Sequence, residues 1–590
     1  MFNKILATFK EILSNYRKCF KIIVGVDVKF FVFILFSTVI LGIAPSISIK
    51  FTQVLMNNIQ TTEYSLIKIL TIVGIYILFN LVISIFTLFS QFYTSLFEVK
   101  LDKEINLLIL NKSGRLSFKS FEDADAYNKI QRAQTSNRIY GYCSYLISIV
   151  QLIITLSSYI VILFSWKWWT IIFILATALI STLLTNRVNK YRYNMLRART
   201  ENERKKWYYQ YLLTHDLAFK EIKTYKLAQY FVRKYQNIYD DFIVQDKKYL
   251  KKSMLVNLGI AILDDIISGM ILIMIIVDTF VGNILMGDSI AYINVTNNIK
   301  STIKQLLTQL SLIYNDNLYI SQLFEFLDMP EEKNEVPLVK QVSAINTISI
   351  KNLSYSYTMG KKYVLKNLNF ELKKGEIVAV VGQNGAGKST LIKILSALYD
   401  DYKGSIKING IEMKELDKDS LRRQISILFQ DFTKYELSLR ENLAISNIEE
   451  KNDDSKLYKI MKRVDFKSNI DLEQQLGNWF EGGENLSGGE WIKVGIGRVL
   501  FKNSSMIILD EPNAALDAIT EIEIFKSIKR MSYDKLCLII THRISNIPFY
   551  ADKVLVLDKG ALVDFNTHDT LLKDCKLYKK LYEADLKVLH

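Results

Sequence analysis

The apolar positions are spread unevenly along the chain. The first half holds long apolar runs, among them FFVFILFSTVILGIA (30 to 44) and ILTIVGIYILFNLVISIFTLF (69 to 89), whereas the runs of the second half are short. A helix crossing a bilayer needs roughly 20 mainly apolar residues. Six stretches reach or approach that length, near 29–50, 67–90, 141–165, 168–186, 254–281 and 283–313. Asp264 and Asp265 interrupt the fifth. The sixth carries LMGDSIAYINVTNNIKSTIKQLL, with Asp288, Ser289, Tyr292, Asn294, Thr296, Asn297, Asn298 and Lys300 close together. Such a stretch spans only with its polar face toward protein or water, as a pathway-lining helix does; a cytosolic amphipathic helix is the other reading.

Beyond DMPEEKNEVPLVK (328 to 340), where two prolines and mixed charge mark a linker, the pattern turns to strands. Alternating segments surround a turn, and IVAVV then reads as a buried strand leading through GQNGAGKS, a glycine-rich loop with the phosphate-binding P-loop pattern, into the helix STLIKILSAL. The expected architecture is a multidomain membrane protein. A cytoplasmic amphipathic segment (1–28) precedes a six-helix all-α transmembrane domain with long cytoplasmic helical extensions (29–327), a linker (328–345) and an α/β P-loop nucleotide-binding domain (346–590).

Charge orients the spans. The net charge of +15 could suit nucleic acid or an anionic surface. Residues 91–140 hold about eight Lys and Arg and residues 187–252 about seventeen, while 51–66 hold none, so the long loops and both termini are expected to be cytoplasmic. That placement accounts for much of the charge and leaves no need for a nucleic-acid partner. The lysine-rich MFNKILATFKEILSNYRKCF fits a helix on the inner membrane surface and not a signal peptide. The four cysteines, Cys19, Cys143, Cys537 and Cys575, have neither disulfide-framework nor zinc spacing. Within the two long loops, SFKSFEDADAYNKIQRA (117 to 133) and LTHDLAFKEIKTYKL (213 to 227) are expected to be contact elbows onto a soluble domain.

Three segments carry chemistry. In GQNGAGKST (382 to 390) the loop around Gly382, Asn384, Gly385 and Gly387 turns backbone N–H groups toward phosphate oxygens, Lys388 reaches the terminal phosphates, and Ser389, followed by Thr390, offers a hydroxyl to Mg²⁺. MIILDEP (506 to 512) is a buried strand ending in two acids at the edge where ligands gather in α/β sheets. Asp510 is placed to hold Mg²⁺ and Glu511 to act as general base on a water. LCLIITHR (536 to 543) repeats the design and brings His542 to the same edge.

The order GQNGAGKST, ILFQD, LSGGE, IILDEP, ALD and THR resembles the nucleotide-binding domain of ATP-binding cassette (ABC) transporters, and six spans with two long loops resemble the exporter half-transporter of that family. The resemblance implies ATP and Mg²⁺ as ligands. It implies that Ser487, Gly488 and Gly489 close over the partner subunit's nucleotide, that Tyr357 stacks on adenine with Tyr355 as the fallback, and that Gln430 joins the Mg²⁺ and water network. Asp517 then links the two sites across a dimer, and 118–133 and 214–227 act as coupling regions. Glu490 stands where many members have glutamine. A homodimer is the simplest assembly; a paralogous half-transporter is the other partner. The segments 430–446 and 476–491 look like the branch exporting lantibiotics and other ribosomally made peptides, with lipid or multidrug export as the alternative. With only about 28 residues before the first span, no leader-cutting peptidase is expected there. Acids at membrane depth point to a polar, cationic substrate.

Overall fold

In the computed structural model, residues 2–61, 65–123, 129, 139–215, 218–332, 340–357, 362–466, 470–512 and 518–589 are described. The chain divides into two compact units, Met1–Gly114 with Asp125–Met329, and Arg115–Ala124 with Pro330–His590.

The described helices of the first half are α1 (Phe2–Val26), α2 (Val28–Thr61), α3 (Leu66–Gly114), α4 (Phe118–Glu122), α5 (Ile139–Lys167), α6 (Thr170–Thr214), α7 (Phe219–Thr224), α8 (Ala228–Phe280) and α9 (Met286–Leu327). All but α4 belong to the first unit. Helices α2, α3, α5, α6 and α8 are long and apolar enough to cross a membrane. They outlast their apolar runs: the 49 residues of α3 extend about 70 Å, more than twice the roughly 30 Å of a hydrocarbon core. Helix α9 falls short on hydropathy, because Asp288, Asn294, Asn297, Asn298, Lys300 and Lys304 interrupt its apolar positions. It packs with α2 and α5, while α6 lies along α8. A cluster of Tyr159, Leu163, Ile174, Ile271, Ile275, Tyr292, Val295 and Ile299 joins these helices. Helix α1 docks by hydrogen bonds rather than by grease alone. The Asn15 amide donates to Asn317 Oδ1 at 3.0 Å, which also accepts from the Tyr142 hydroxyl at 2.8 Å.

The polar residues of α9 divide between two roles. Asn297, Lys300, Ser301, Lys304, Thr308 and Ser311 line a cavity of about 890 Å³ between α6, α8 and α9, together with Arg192, Asp264 and Asp265. Lys300 donates to the Asp264 carbonyl at 2.7 Å and to the Ser268 hydroxyl. Asp288 does otherwise. Its carboxylate accepts from the amides of Gln53 and Asn57, both at 2.7 Å, and from the Leu285 N–H at 3.2 Å. It caps the first turn of α9 and ties that turn to α2, so the expectation that it faces the substrate path is corrected. The expectation of an acidic path is corrected as well, since Arg192, Lys300 and Lys304 accompany the two acids.

The second unit is built on two sheets. Strands β1 (Thr347–Tyr355), β2 (Leu365–Lys373), β4 (Lys403–Ile408) and β5 (Ile411–Glu412) form an antiparallel sheet in the order β2-β1-β4-β5. The order of the larger sheet is β10-β9-β3-β8-β7-β6, with β3 (Ile377–Gly382), β6 (Ile425–Leu428), β7 (Met506–Asp510), β8 (Leu536–Ile540), β9 (Lys553–Asp558) and β10 (Ala561–Asn566). Strands β6, β7, β8, β3 and β9 run parallel; β10 returns antiparallel. The uninterrupted apolar runs follow from this, because both faces are covered. Ile377, Ala379 and Val381 enter one core with Ile507, Leu509 and Ile539, and Val378 and Val380 enter another with Ile508, Leu538 and Leu555.

Helices α10 (Lys388–Leu395), α11 (Lys418–Arg423), α12 (Leu439–Ala444), α13 (Asp454–Arg463), α14 (Gly488–Phe501), α15 (Ala518–Met531), α16 (His568–Asp574) and α17 (Lys576–Leu589) complete the unit. Helix α4 packs in it too: Phe118 meets the Tyr399 ring edge-on at 5.8 Å, Glu122 accepts from Lys393 at 2.9 Å and from the Tyr399 hydroxyl, and Lys119 pairs with Asp401 at 2.6 Å. Residues 124–128 and 130–133 lie outside the described residues.

Candidate active site

The parallel strands end on one edge, and the loops that follow them carry the site. After β3 the chain turns through 383–387 into α10. Gly387 has φ +99°, and a Cβ there would stand 2.6 Å from Leu365; Gly382 leaves 2.2 Å between a would-be Cβ and the Leu557 carbonyl. Only glycine permits both the turn and the close approach. Lys388 opens α10 almost fully buried, its ammonium donating to the carbonyls of Gly382 at 2.9 Å and Gln383 at 3.3 Å. Burial lowers its pKa, opposed by the charges of Glu511 and Asp510.

A pocket of about 520 Å³ is lined by Val364, Asn384, Gly385, Ala386, Gly387, Lys388, Ser389, Thr390, Gln430, Glu511 and His542. Three loops meet on one carboxylate. Gln430 follows β6 and donates through Nε2 to Glu511 Oε2 at 2.9 Å; His542 follows β8 and places Nε2 2.8 Å from Glu511 Oε1. Glu511 follows β7 with φ +49°, a left-handed backbone unusual for a side chain of its kind. Its N–H is fixed on the Ile540 carbonyl at 3.1 Å. Asp510 ends β7 buried, and burial, with the negative charges of Glu511 and Asp431, pushes its pKa up to about 6 against the pull of Lys388.

The two tyrosines separate cleanly. Tyr355 closes β1 in the core at 2% exposure, while Tyr357, past the strand's end, is 44% exposed and meets Thr390 Oγ1 through its hydroxyl at 2.9 Å. Tyr399 stacks on Tyr355 at 5.1 Å and meets Tyr357 edge-on at 5.8 Å.

Within one chain the signature lies apart, for Ser487, Gly488 and Gly489 do not line the pocket. Ser487 caps α14: its Oγ accepts the Glu490 N–H at 3.3 Å, and the Glu490 carboxylate accepts the Ser487 N–H at 2.9 Å. A capping box takes glutamate or glutamine at this position alike, which explains why Glu490 can stand in for glutamine. Asp517 lies outside the described residues. Sequence reasoning missed Tyr399, Glu521 and Arg543, whose partners are distant in the chain and have no local motif.

A phosphate-cradling loop, a strand ending in paired acids and a strand ending in histidine, fused behind membrane-length helices, define a membrane-bound ABC ATPase. A family model for the ABC transporter matches residues 365–514, and the chain belongs to the ABC transporter family as a half-transporter with fused membrane and nucleotide-binding parts. It is 36% identical over 581 residues, 97% of this chain and 94% of the other, to the subtilin transport ATP-binding protein SpaT of Bacillus subtilis. It is 32% identical over 579 residues, 96% and 95% of the two chains, to the nisin transport ATP-binding protein NisT of Lactococcus lactis subsp. lactis. An ATP-dependent lipid A-core flippase of Pseudomonas fluorescens shares 32% identity over 320 residues, 54% of this chain and 52% of that one. The fold matches a solved bacterial Atm1-family ABC exporter with a TM-score of 0.79, at 21% identity and covering 95% of this chain and 98% of that one. The protein is thus a multi-pass membrane protein that binds ATP and couples its hydrolysis to transport.

Proposed function

We propose that this protein exports a ribosomally made, lantibiotic-like peptide across the cytoplasmic membrane, by alternating access of a homodimer whose long loops, termini and nucleotide-binding domain (346–590, after the linker 328–345) face the cytoplasm. One observation carries the reading. The similarity to the subtilin and nisin proteins runs over at least 96% of the chain and so includes its membrane-spanning half, whereas the flippase aligns over 54%. The cavity between α6, α8 and α9, rich in hydroxyls and amides and carrying charges of both signs, suits a polar chain better than a lipid tail.

In the nucleotide site, Tyr357 offers an exposed ring to adenine, and the 382–387 loop with Lys388 and Thr390 holds the phosphates. The site's donors, the Ser389 hydroxyl, the Gln430 amide oxygen and the Asp510 carboxylate, form a hard oxygen set that fits Mg²⁺, and the raised pKa of Asp510 marks a spot short of positive charge. Mg²⁺ there would neutralise phosphate charge. Glu511 draws the proton from the attacking water through an oxygen oriented by His542 and Gln430, and His542 stands beside the γ-phosphate. Ser487, Gly488 and Gly489 complete the partner's site, which is why they stand apart from the pocket in one chain, and Asp517 links the two sites across the dimer. Residues 118–133 and 214–227 carry the motion between domains.

The test is uptake into inside-out vesicles holding the purified protein. ATP-dependent accumulation of a leader-bearing lanthionine peptide is expected, with none in the Glu511→Gln variant. Flipping of lipid or uptake of drugs without peptide uptake would replace this reading with lipid or multidrug export.

A further inference from the structure

His542 is held in place by acids that take no part in the chemistry above. Glu521, in the first turn of α15, is fully buried. Both of its oxygens are committed to the segment just after His542: Oε2 pairs with the Arg543 guanidinium, and Oε1 accepts from the Asn546 amide at 3.2 Å. From the other side Asp585 of α17 accepts the Ser545 N–H at 2.8 Å, an otherwise orphaned donor at the start of the helical turn 544–549. A cavity of about 360 Å³ separates α17 from the phosphate loop, with His542 and Asp585 both on its wall.

A buried carboxylate is tolerable only while paired. Because Arg543 and Asn546 both sit within four residues of His542 in sequence, this loop cannot shift without stripping Glu521 of them. The imidazole is as well placed as the backbone beneath it, and misplacement by about 1 Å is enough to cost on the order of 100-fold in rate. Glu521 also lies on the helix that begins immediately after Asp517.

We propose that Glu521 is a positioning residue that holds the His542 imidazole against Glu511, with Asp585 as a second tie from the C-terminal helix. This rests on the reading of His542 as a working group of the hydrolysis site. The proposal concerns basal ATP hydrolysis and is independent of what is transported.

The test uses the full-length protein in lipid nanodiscs. Glu521→Gln keeps the shape and an oxygen for Asn546 but loses the charge that faces Arg543. Glu521→Gln and Arg543→Gln should each lower kcat about 10- to 100-fold, the loss typical when an orienting partner is removed, with KM for MgATP within about threefold. The double variant should be no worse than the poorer single, since both break one contact. Asp585→Asn should give a smaller kcat loss of the same kind. Unchanged kcat in both single variants, multiplicative losses in the double, or an equal rise in KM would overturn the proposal. If Glu521→Gln fails to accumulate, Arg543→Gln and Asn546→Ala, on partly exposed residues, read the same contact. His542→Ala is run in parallel: if it hydrolyses ATP normally, the underlying reading of His542 fails, whereas its loss beside a normal Glu521→Gln sinks only the present proposal.

Discussion

At the scale of single residues, the glutamate after β7 has both carboxylate oxygens engaged by donors from neighbouring strands, an arrangement that orients a base. Glu511→Gln should retain ATP binding and lose turnover by at least about 100-fold, as a positioned general base contributes 10² to 10⁴; steady-state ATPase assays with nucleotide-binding controls check it. His568 gives a pH prediction. It is half-buried, its Nδ1 stands 2.7 Å from the Tyr578 hydroxyl, and burial lowers its pKa below 6.5 despite the opposing charge of Asp569. As pH falls the unfolded chain takes the proton first, so this contribution to stability is complete above about pH 6.5 and is lost as pH falls through the folded pKa. Replacing His568 with Gln should flatten the pH dependence of the melting temperature in that range. The motif residues could be read from the sequence because each sits at the end of an apolar strand within a short local motif, although Gln430, Glu511 and His542 meet only in the fold. Only resemblance prefers Tyr357 to Tyr355; the physical difference, a buried ring against an exposed one, depends on β1 ending at Tyr355.

At the scale of elements, the helix that starts at the signature also braces the glutamine loop. The Arg498 guanidinium on α14 donates to the carbonyls of Thr433 and Asn442, each at 2.7 Å, and to the Asn442 side chain at 2.6 Å. Burial lowers its pKa to about 10, opposed by Tyr435. Gly495 on the same helix would bring a Cβ within 2.7 Å of Leu428. Between them, these contacts bracket Gln430. Arg498→Lys, which cannot reach three acceptors in a plane, should destabilise the domain by about 2 kcal/mol and reduce kcat, read by denaturant unfolding and ATPase assay. In the membrane half, Asp288→Asn should leave peptide-stimulated ATPase unchanged, whereas Asp264→Asn and Asp265→Asn should alter it, because only the latter two line the cavity. Hydropathy marked where the helices are apolar and not where they end. It also could not separate a capping aspartate from a cavity aspartate, since both look like charge in an apolar run.

At the scale of the whole molecule, the proposed sharing of each site between two chains is something one sequence can suggest only through resemblance. Lys388→Ala and Ser487→Arg should each abolish ATPase alone. Mixed dimers of the two should regain some, because the chain with intact Lys388 meets the chain with intact Ser487; verified mixed dimers without activity would show that the sites are not shared or cannot fire singly. The left-handed backbone at Glu511 bears on the durability of the entire protein. A glutamate there is held in a conformation costing of the order of 1 kcal/mol or more, and its charge sits against buried Asp510. Asparagine tolerates that backbone and carries no charge. Glu511→Asn should therefore unfold at a higher denaturant concentration than the active protein while hydrolysing no ATP. Selection for robustness alone would drift to a dead transporter at this position, so the working enzyme is kept less stable than its own sequence neighbourhood allows.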